Sequence, residues 1–111
     1  EQAETLGNME EIIQFISRNY PLAQIQLLSV LPVNEDPIYK GTVYVRTNAK
    51  IQELNQAYQR LAQAYVNVQF VDIYRYFLDA SDQLKSDYTT DGLHLSIEGY
   101  VVLSDRIKDE L

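Results

Sequence analysis

Two short apolar runs, separated by a long amphipathic stripe, constrain this chain more than anything else in it. Ile25-Gln-Leu-Leu-Ser-Val-Leu31 is almost continuously apolar, rich in branched residues and stopped by Pro32. It is too short for a helix and reads as a buried strand. Val66-Asn-Val-Gln-Phe-Val71 alternates branched or aromatic residues with polar ones up to Asp72, and reads as a second strand. Between the two, Ile51, Leu54, Tyr58, Leu61, Ala62 and Tyr65 recur at helical steps, with Thr47 or Asn48 placed to cap the helix. Strand, helix of about five turns and strand in that order predict two adjacent parallel strands joined by a right-handed crossover.

The flanking segments extend this pattern. Met9, Ile12, Ile13, Ile16 and Tyr20 form a stripe that predicts a helix from about Asn8 to Asn19, ended by Pro21, with Asn8 as N-cap and Glu10 and Glu11 suited to its positive end. Pro32 to Thr47 reads as a long loop in which Thr42-Val-Tyr-Val-Arg46 alternates and could pair briefly. Ile73 to Leu78 suggests a short helix, and Asp79 to Leu95 is turn chemistry. A last helix carries Tyr100, Leu103, Ile107 and Leu111, capped by Ser96. The expectation is a single partial α/β domain over 1–111, about half of a parallel-sheet fold. Its open strand edge would be an association hazard unless covered, so a homo-oligomer or copy-to-copy strand pairing is expected.

Composition closes off several classes of function. Nine basic against sixteen acidic residues give a net charge of −7, which repels the phosphates of nucleic acid and anionic lipid. The absence of cysteine excludes disulfides, thiolate zinc sites and cysteine nucleophiles. It is compatible with a reducing compartment, and with no signal peptide at Glu1-Gln-Ala-Glu-Thr and no apolar run near the roughly 20 residues of a membrane span, the expected location is cytoplasmic.

The single histidine, His94, stands in a loop just ahead of the last helix, and Asp91 lies three residues earlier with Gly92 between them. The glycine lets the chain turn back so that the carboxylate accepts the Nδ1–H, which fixes the tautomer and leaves Nε2 free to take a proton. That is the orienting half of a hydrolytic triad. The plainer alternative is a turn at Asp91-Gly92 with a satisfied, partly buried histidine. A metal site at the pair lacks a second histidine or cysteine, so no metal and no cofactor are expected. None of the four glycines forms a Gly-x-Ser-x-Gly elbow, and each serine reads as helix surface, strand, loop or cap. Tyr39 and Tyr44 in the long loop, and Arg46 beyond them, read first as packing and loop-holding residues.

The string Asp91-Gly-Leu-His-Leu-Ser-x-x-Gly-Tyr100, preceded by Tyr88-Thr-Thr90, resembles the C-terminal signature of the SGNH, or GDSL-type, hydrolases. Leu27-Leu-Ser-Val-Leu-Pro-Val33, Arg46-Thr-Asn-x-x-Ile51 and Asn55 are similar to the bacterial branch related to platelet-activating-factor acetylhydrolase. The resemblance implies a flavodoxin-like α/β/α sandwich with a five-stranded parallel sheet. It also implies a metal-free activity on a small-molecule acyl ester, with His94 as general base and Asp91 as its orienter. The family's Gly-Asp-Ser nucleophile and its Gly and Asn oxyanion donors have no counterpart here, and Asn8 is not assigned to them. The chain then corresponds to the C-terminal half of such a hydrolase, its partner being the N-terminal half of the same domain, and it is expected to be inactive by itself. A noncatalytic self-association module on a degenerate hydrolase scaffold is the alternative.

Overall fold

The computed structural model describes residues 2–110. Its order is α1 (Gln2–Asn19), β1 (Ile25–Leu28), a 3₁₀ turn at Pro37–Tyr39 running into the short α2 (Lys40–Val43), α3 (Asn48–Gln63), β2 (Val68–Val71), 3₁₀ turns at Tyr74–Phe77 and Ser86–Tyr88, and α4 (Ile97–Glu110). The two strands are parallel and in register from Ile25 opposite Val68 to Leu28 opposite Val71. Period-two alternation sends their side chains to opposite faces. Ile25, Leu27, Val68 and Phe70 pack with Ile13 of α1 and Tyr58 of α3, while Leu28 and Val71 pack with Phe77, Leu84 and the Val102 and Leu103 of α4. The result is an α/β/α arrangement of three layers, with α1 and α3 on one side of the sheet and α4 on the other. Among the described residues no helix is long and apolar enough to cross a membrane.

Several expectations need correction. The first helix does not start at Asn8 but runs through it from Gln2, because Leu6 adds to the apolar face against Ile13 and Tyr58 and the Gln2 amide donates to Lys50 O at 2.8 Å. Asn8 therefore caps nothing. The alternation at Thr42–Arg46 forms no strand. Thr42 and Val43 lie in α2, whose end turns sharply at Tyr44 with φ 55°, and Arg46 Nη1 donates to Thr42 O at 3.3 Å. Both strands are shorter than their apolar runs: Val66 is fully exposed, and after a last bond from the Ser29 N–H to Val71 O the chain from Val30 pairs with side chains rather than with a strand. The caps at Thr47 and Ser96 form as expected, Thr47 Oγ1 accepting the Lys50 N–H at 3.2 Å and Ser96 Oγ the Gly99 N–H at 3.2 Å. Leu111, placed in the last helical stripe, lies outside the described residues.

The connections bring all three long helices to the same end of the sheet. Asn67, just before β2, hydrogen-bonds Ser17 near the end of α1, and Gln26 of β1 donates to Glu110 O at the end of α4. The helices thus finish beside the amino ends of the strands and begin near the carboxyl ends, the side on which open parallel sheets place their ligand crevices.

Candidate active site

The site grows out of six residues, Thr89 to His94, whose hydrogen bonds are almost all internal to the turn. Asp91 Oδ1 accepts the N–H of Leu93 at 2.9 Å and that of His94 at 2.8 Å. Thr89 Oγ1 accepts the Gly92 N–H at 2.9 Å and donates to His94 O at 2.6 Å. Gly92 takes φ 85°, a value that side chains rarely adopt. The turn is closed below by an antiparallel bridge of Thr89 with Leu95. It is seated on α4 because Gly99, without a Cβ, lets the first turn of that helix approach Tyr88 O. The motif's two glycines thus have separate duties, one conformational and one of close approach.

This folding back brings the two expected residues together. Asp91 Oδ2 lies 2.7 Å from His94 Nδ1, while Oδ1 is engaged by the main chain. Three hydrogen bonds favour the charged carboxylate and hold its pKa well below the usual range, the ring of His94 contributing most, then the N–H groups of His94 and Leu93. An ionised carboxylate can only accept, so Nδ1 carries the proton, and in a neutral ring so oriented Nε2 keeps the lone pair. The His94 side chain is 72 % exposed and that of Asp91 32 %. The plainer expectation of a partly buried histidine is therefore not met.

What the residues do not bring together is an enclosing cleft. A groove of about 510 Å³ lies between the starts of α1 and α3, lined by Val45, Ile51 and Leu54 with Arg46 and Lys50 at its rim, but neither Asp91 nor His94 lines it. Tyr39 reads as packing and proves to be so, resting directly on Gly92. Tyr44 and Ile38, in contrast, are largely exposed. No cluster of three or more metal-ligating side chains occurs among the described residues.

Sequence reasoning missed three contributors to the turn. Thr89 was legible as part of the motif but not as its central hydrogen-bonding group. Asn34 donates its N–H to Gly92 O at 2.8 Å from a loop fifty-odd residues away, and Asn48 in turn holds the neighbouring Val33. Asn34 reaches the turn through its main-chain N–H, which nearly every residue carries, and Asn48 read only as a possible helix cap, so neither role left a signal in the sequence.

The profile of the GDSL-like lipase/acylhydrolase family matches residues 1–102. Among solved structures, a candidate platelet activating factor protein from Streptococcus pneumonia is 55% identical with a TM-score of 0.96, covering 99% of this chain and 51% of its own. A GDSL-like lipase from Bacteroides thetaiotaomicron is 29% identical with a TM-score of 0.77, over 99% of this chain and 52% of its own. A candidate acylhydrolase from Bacteroides fragilis is 25% identical with a TM-score of 0.78, over 99% and 51%. The chain thus spans about half the length of the solved structures that it matches. Among curated proteins there is no match.

Proposed function

The chain belongs to the GDSL-like lipase/acylhydrolase family, and from that premise we propose that it supplies the Asp-His part of a Ser-His-Asp triad for the hydrolysis of acyl esters. His94 Nε2 is the general base that takes the proton of a serine hydroxyl as the hydroxyl attacks the ester carbonyl, and it returns that proton to the leaving alcohol. A water then repeats the sequence on the acyl-enzyme. Asp91 holds the imidazole in the Nδ1–H form and stabilises the imidazolium that forms at each transfer. The observation that carries the reading is the 2.7 Å contact between Asp91 Oδ2 and His94 Nδ1 within a turn whose remaining hydrogen bonds fix the carboxylate.

No hydrogen bond reaches His94 Nε2 among the described residues. In this proposal the serine and the oxyanion donors belong to the rest of the domain, the solved relatives being about twice as long. The unpaired outer edge of β1 is the natural place for that portion to join the sheet. The 111 residues alone then hydrolyse no short-chain nitrophenyl ester, since a base without a nucleophile activates nothing. In the complete domain, His94→Ala abolishes turnover and Asp91→Asn lowers kcat by about 10⁴ if the tautomer argument holds. Turnover by the isolated chain that vanishes on His94→Ala, or a complete domain indifferent to that change, refutes the assignment. Self-association through an open edge is kept as a second reading because β1 and β2 pair only with each other among the described residues. Sedimentation of the isolated chain tests it, a monomer at all concentrations counting against it.

A further inference from the structure

Two asparagines on α3 grip the extended segment that follows β1. Asn55 Oδ1 accepts the Val30 N–H at 2.7 Å while its Nδ2 donates to Val30 O at 2.9 Å. Asn48 does the same to Val33, at 2.7 and 2.8 Å. The spacing is not accidental. Seven residues of helix rise about 10.5 Å and three residues of extended chain span about 10 Å, so two amides two helical turns apart meet two peptides three residues apart. Each amide imitates a strand neighbour where no strand exists.

Only one of the two clamps leads onward to the active-site turn. Val33 O, held by Asn48, also receives the Leu84 N–H at 3.1 Å, and the next residue, Asn34, donates its N–H to Gly92 O at 2.8 Å. The Asn34 side chain is itself committed, Nδ2 donating to Leu84 O at 2.9 Å and Oδ1 accepting the Asp36 N–H at 3.0 Å. Asn34 and Asn48 are buried, so these groups have no water to fall back on. Val30, in contrast, has no such connection to the turn through Asn55. Tyr39 stands against Gly92 where a Cβ would lie, so the turn is also held by a packing contact.

We infer that Asn48 is a positioning residue for the hydrolytic pair: by fixing Val33 on both sides of its backbone it sets the Asn34 N–H against Gly92 O and so holds the turn in which Asp91 meets His94. Asn55, the same clamp two turns along α3, serves the fold alone. The inference rests on the reading of Asp91 and His94 as orienter and base.

Because the chain has one histidine, long-range 1H–15N spectra at mildly alkaline pH report the tautomer of His94 without ambiguity. The unsubstituted chain shows the Nδ1–H form. Asn48→Ala shifts the ring nitrogens toward the mixture of a free imidazole, whereas Asn55→Ala keeps the Nδ1–H form even where it costs comparable stability. In the complete esterase Asn48→Ala lowers kcat roughly 10- to 100-fold with little change in KM, and Asn55→Ala leaves both in place. Identical His94 spectra in Asn48→Ala and in the unsubstituted chain, or equal disturbance by both variants, overturn the inference. If Asn48→Ala fails to fold, amide exchange in the unsubstituted chain decides: an Asn34 N–H as protected as those of β1 supports the strut, and one exchanging like an open loop removes it. A complete esterase indifferent to His94→Ala would sink the hydrolytic reading while leaving the tautomer comparison to stand or fall separately.

Discussion

Gly92→Ala is the sharpest perturbation the structure offers, because two independent costs fall on one methyl group. The first is conformational: at φ 85° an L side chain is disfavoured, at roughly 1–3 kcal/mol for a strained backbone of this kind. The second is steric. The added Cβ would stand 2.6 Å from both Cβ and Cγ of Tyr39 and 3.0 Å from Cδ2, well inside ordinary contact, and forcing atoms into a filled site costs about 1–3 kcal/mol. Together they come to about 2–6 kcal/mol, a large share of the 5–15 kcal/mol that holds a typical domain folded. Urea denaturation of the variant beside the unsubstituted chain measures the total.

The two costs are separable. Tyr39→Ala removes Cγ and Cδ2 but keeps the Tyr39 Cβ, so in a double-mutant cycle it should recover part of the steric cost and none of the conformational one, a coupling on the order of 0.5–3 kcal/mol. Gly92→Ala should also release the turn that carries Asp91, so the Nδ1–H form of His94 should be lost with it. A Gly92→Ala variant within 0.5 kcal/mol of the parent, with its imidazole tautomer intact, would show that the turn accepts a side chain and that the geometry described for Gly92 does not constrain the site.

Three further outcomes follow from the same physics. Phe77 is fully buried and meets the Tyr88 ring edge-on at 5.9 Å between centroids, so Phe77→Ala should cost about 3–5 kcal/mol in urea denaturation, and a loss under 1 kcal/mol would place the core elsewhere. The buried Tyr74 hydroxyl completes no hydrogen bond, although burial raises its pKa and the nearby Gln52 amide pulls the other way. Tyr74→Phe should therefore be neutral or stabilising by up to about 1 kcal/mol, and a clear loss would reveal a partner. A carboxylate whose folded pKa is depressed contributes stability that is complete above its unfolded pKa of about 4 and is lost as pH falls through the folded value. The stability gap between the parent and Asp91→Asn should accordingly hold through the neutral range and close progressively below about pH 4. A gap that instead closes on the alkaline side would refute the direction.

How much of this was legible in the sequence depends on the range of the forces involved. The order and parallel pairing of the strands, α3 with its Thr47 cap and α4 with its Ser96 cap are written in periodicity and in side chains that bond their own neighbourhood, and these stand as read, although both strands are shorter than their apolar runs. The Asp91–His94 pair was readable for the same reason, since the donors and acceptors that fold the turn lie within Thr89 to His94. The beginning of α1 was not. Gln2 to Gly7 carries little helical signal, and it is helical because Leu6 finds the face of Tyr58 and Ile13 in the folded chain. Nor was the fate of the segment after β1, where strand propensity persists to Leu31 but the partners are two asparagine side chains of α3. Pairing of that kind leaves no period in either segment. It can be seen only once the helix and the extended chain lie side by side.

The distribution of these forces bears on how an acid–base pair can persist at an open surface. A surface ion pair is ordinarily worth little, because water competes for both partners and two side chains must give up their freedom to meet. Here most of that ordering is done by the backbone: Asp91 is already committed to two N–H groups of its own turn before the imidazole arrives, and Gly92 is held by the Asn34 N–H and by contact with Tyr39. The ring then meets a carboxylate whose position is already fixed, so exposure of His94 does not require disorder of the pair. The same reasoning locates what these residues do not provide. Preorganised orientation of a base can be built from one turn and its supports, whereas exclusion of water and stabilisation of an oxyanion need walls and donors converging from several elements. The groove between α1 and α3 does not include the pair, so in the proposed hydrolase the catalytic power of His94 depends on surfaces that the rest of the domain brings to the carboxyl ends of β1 and β2.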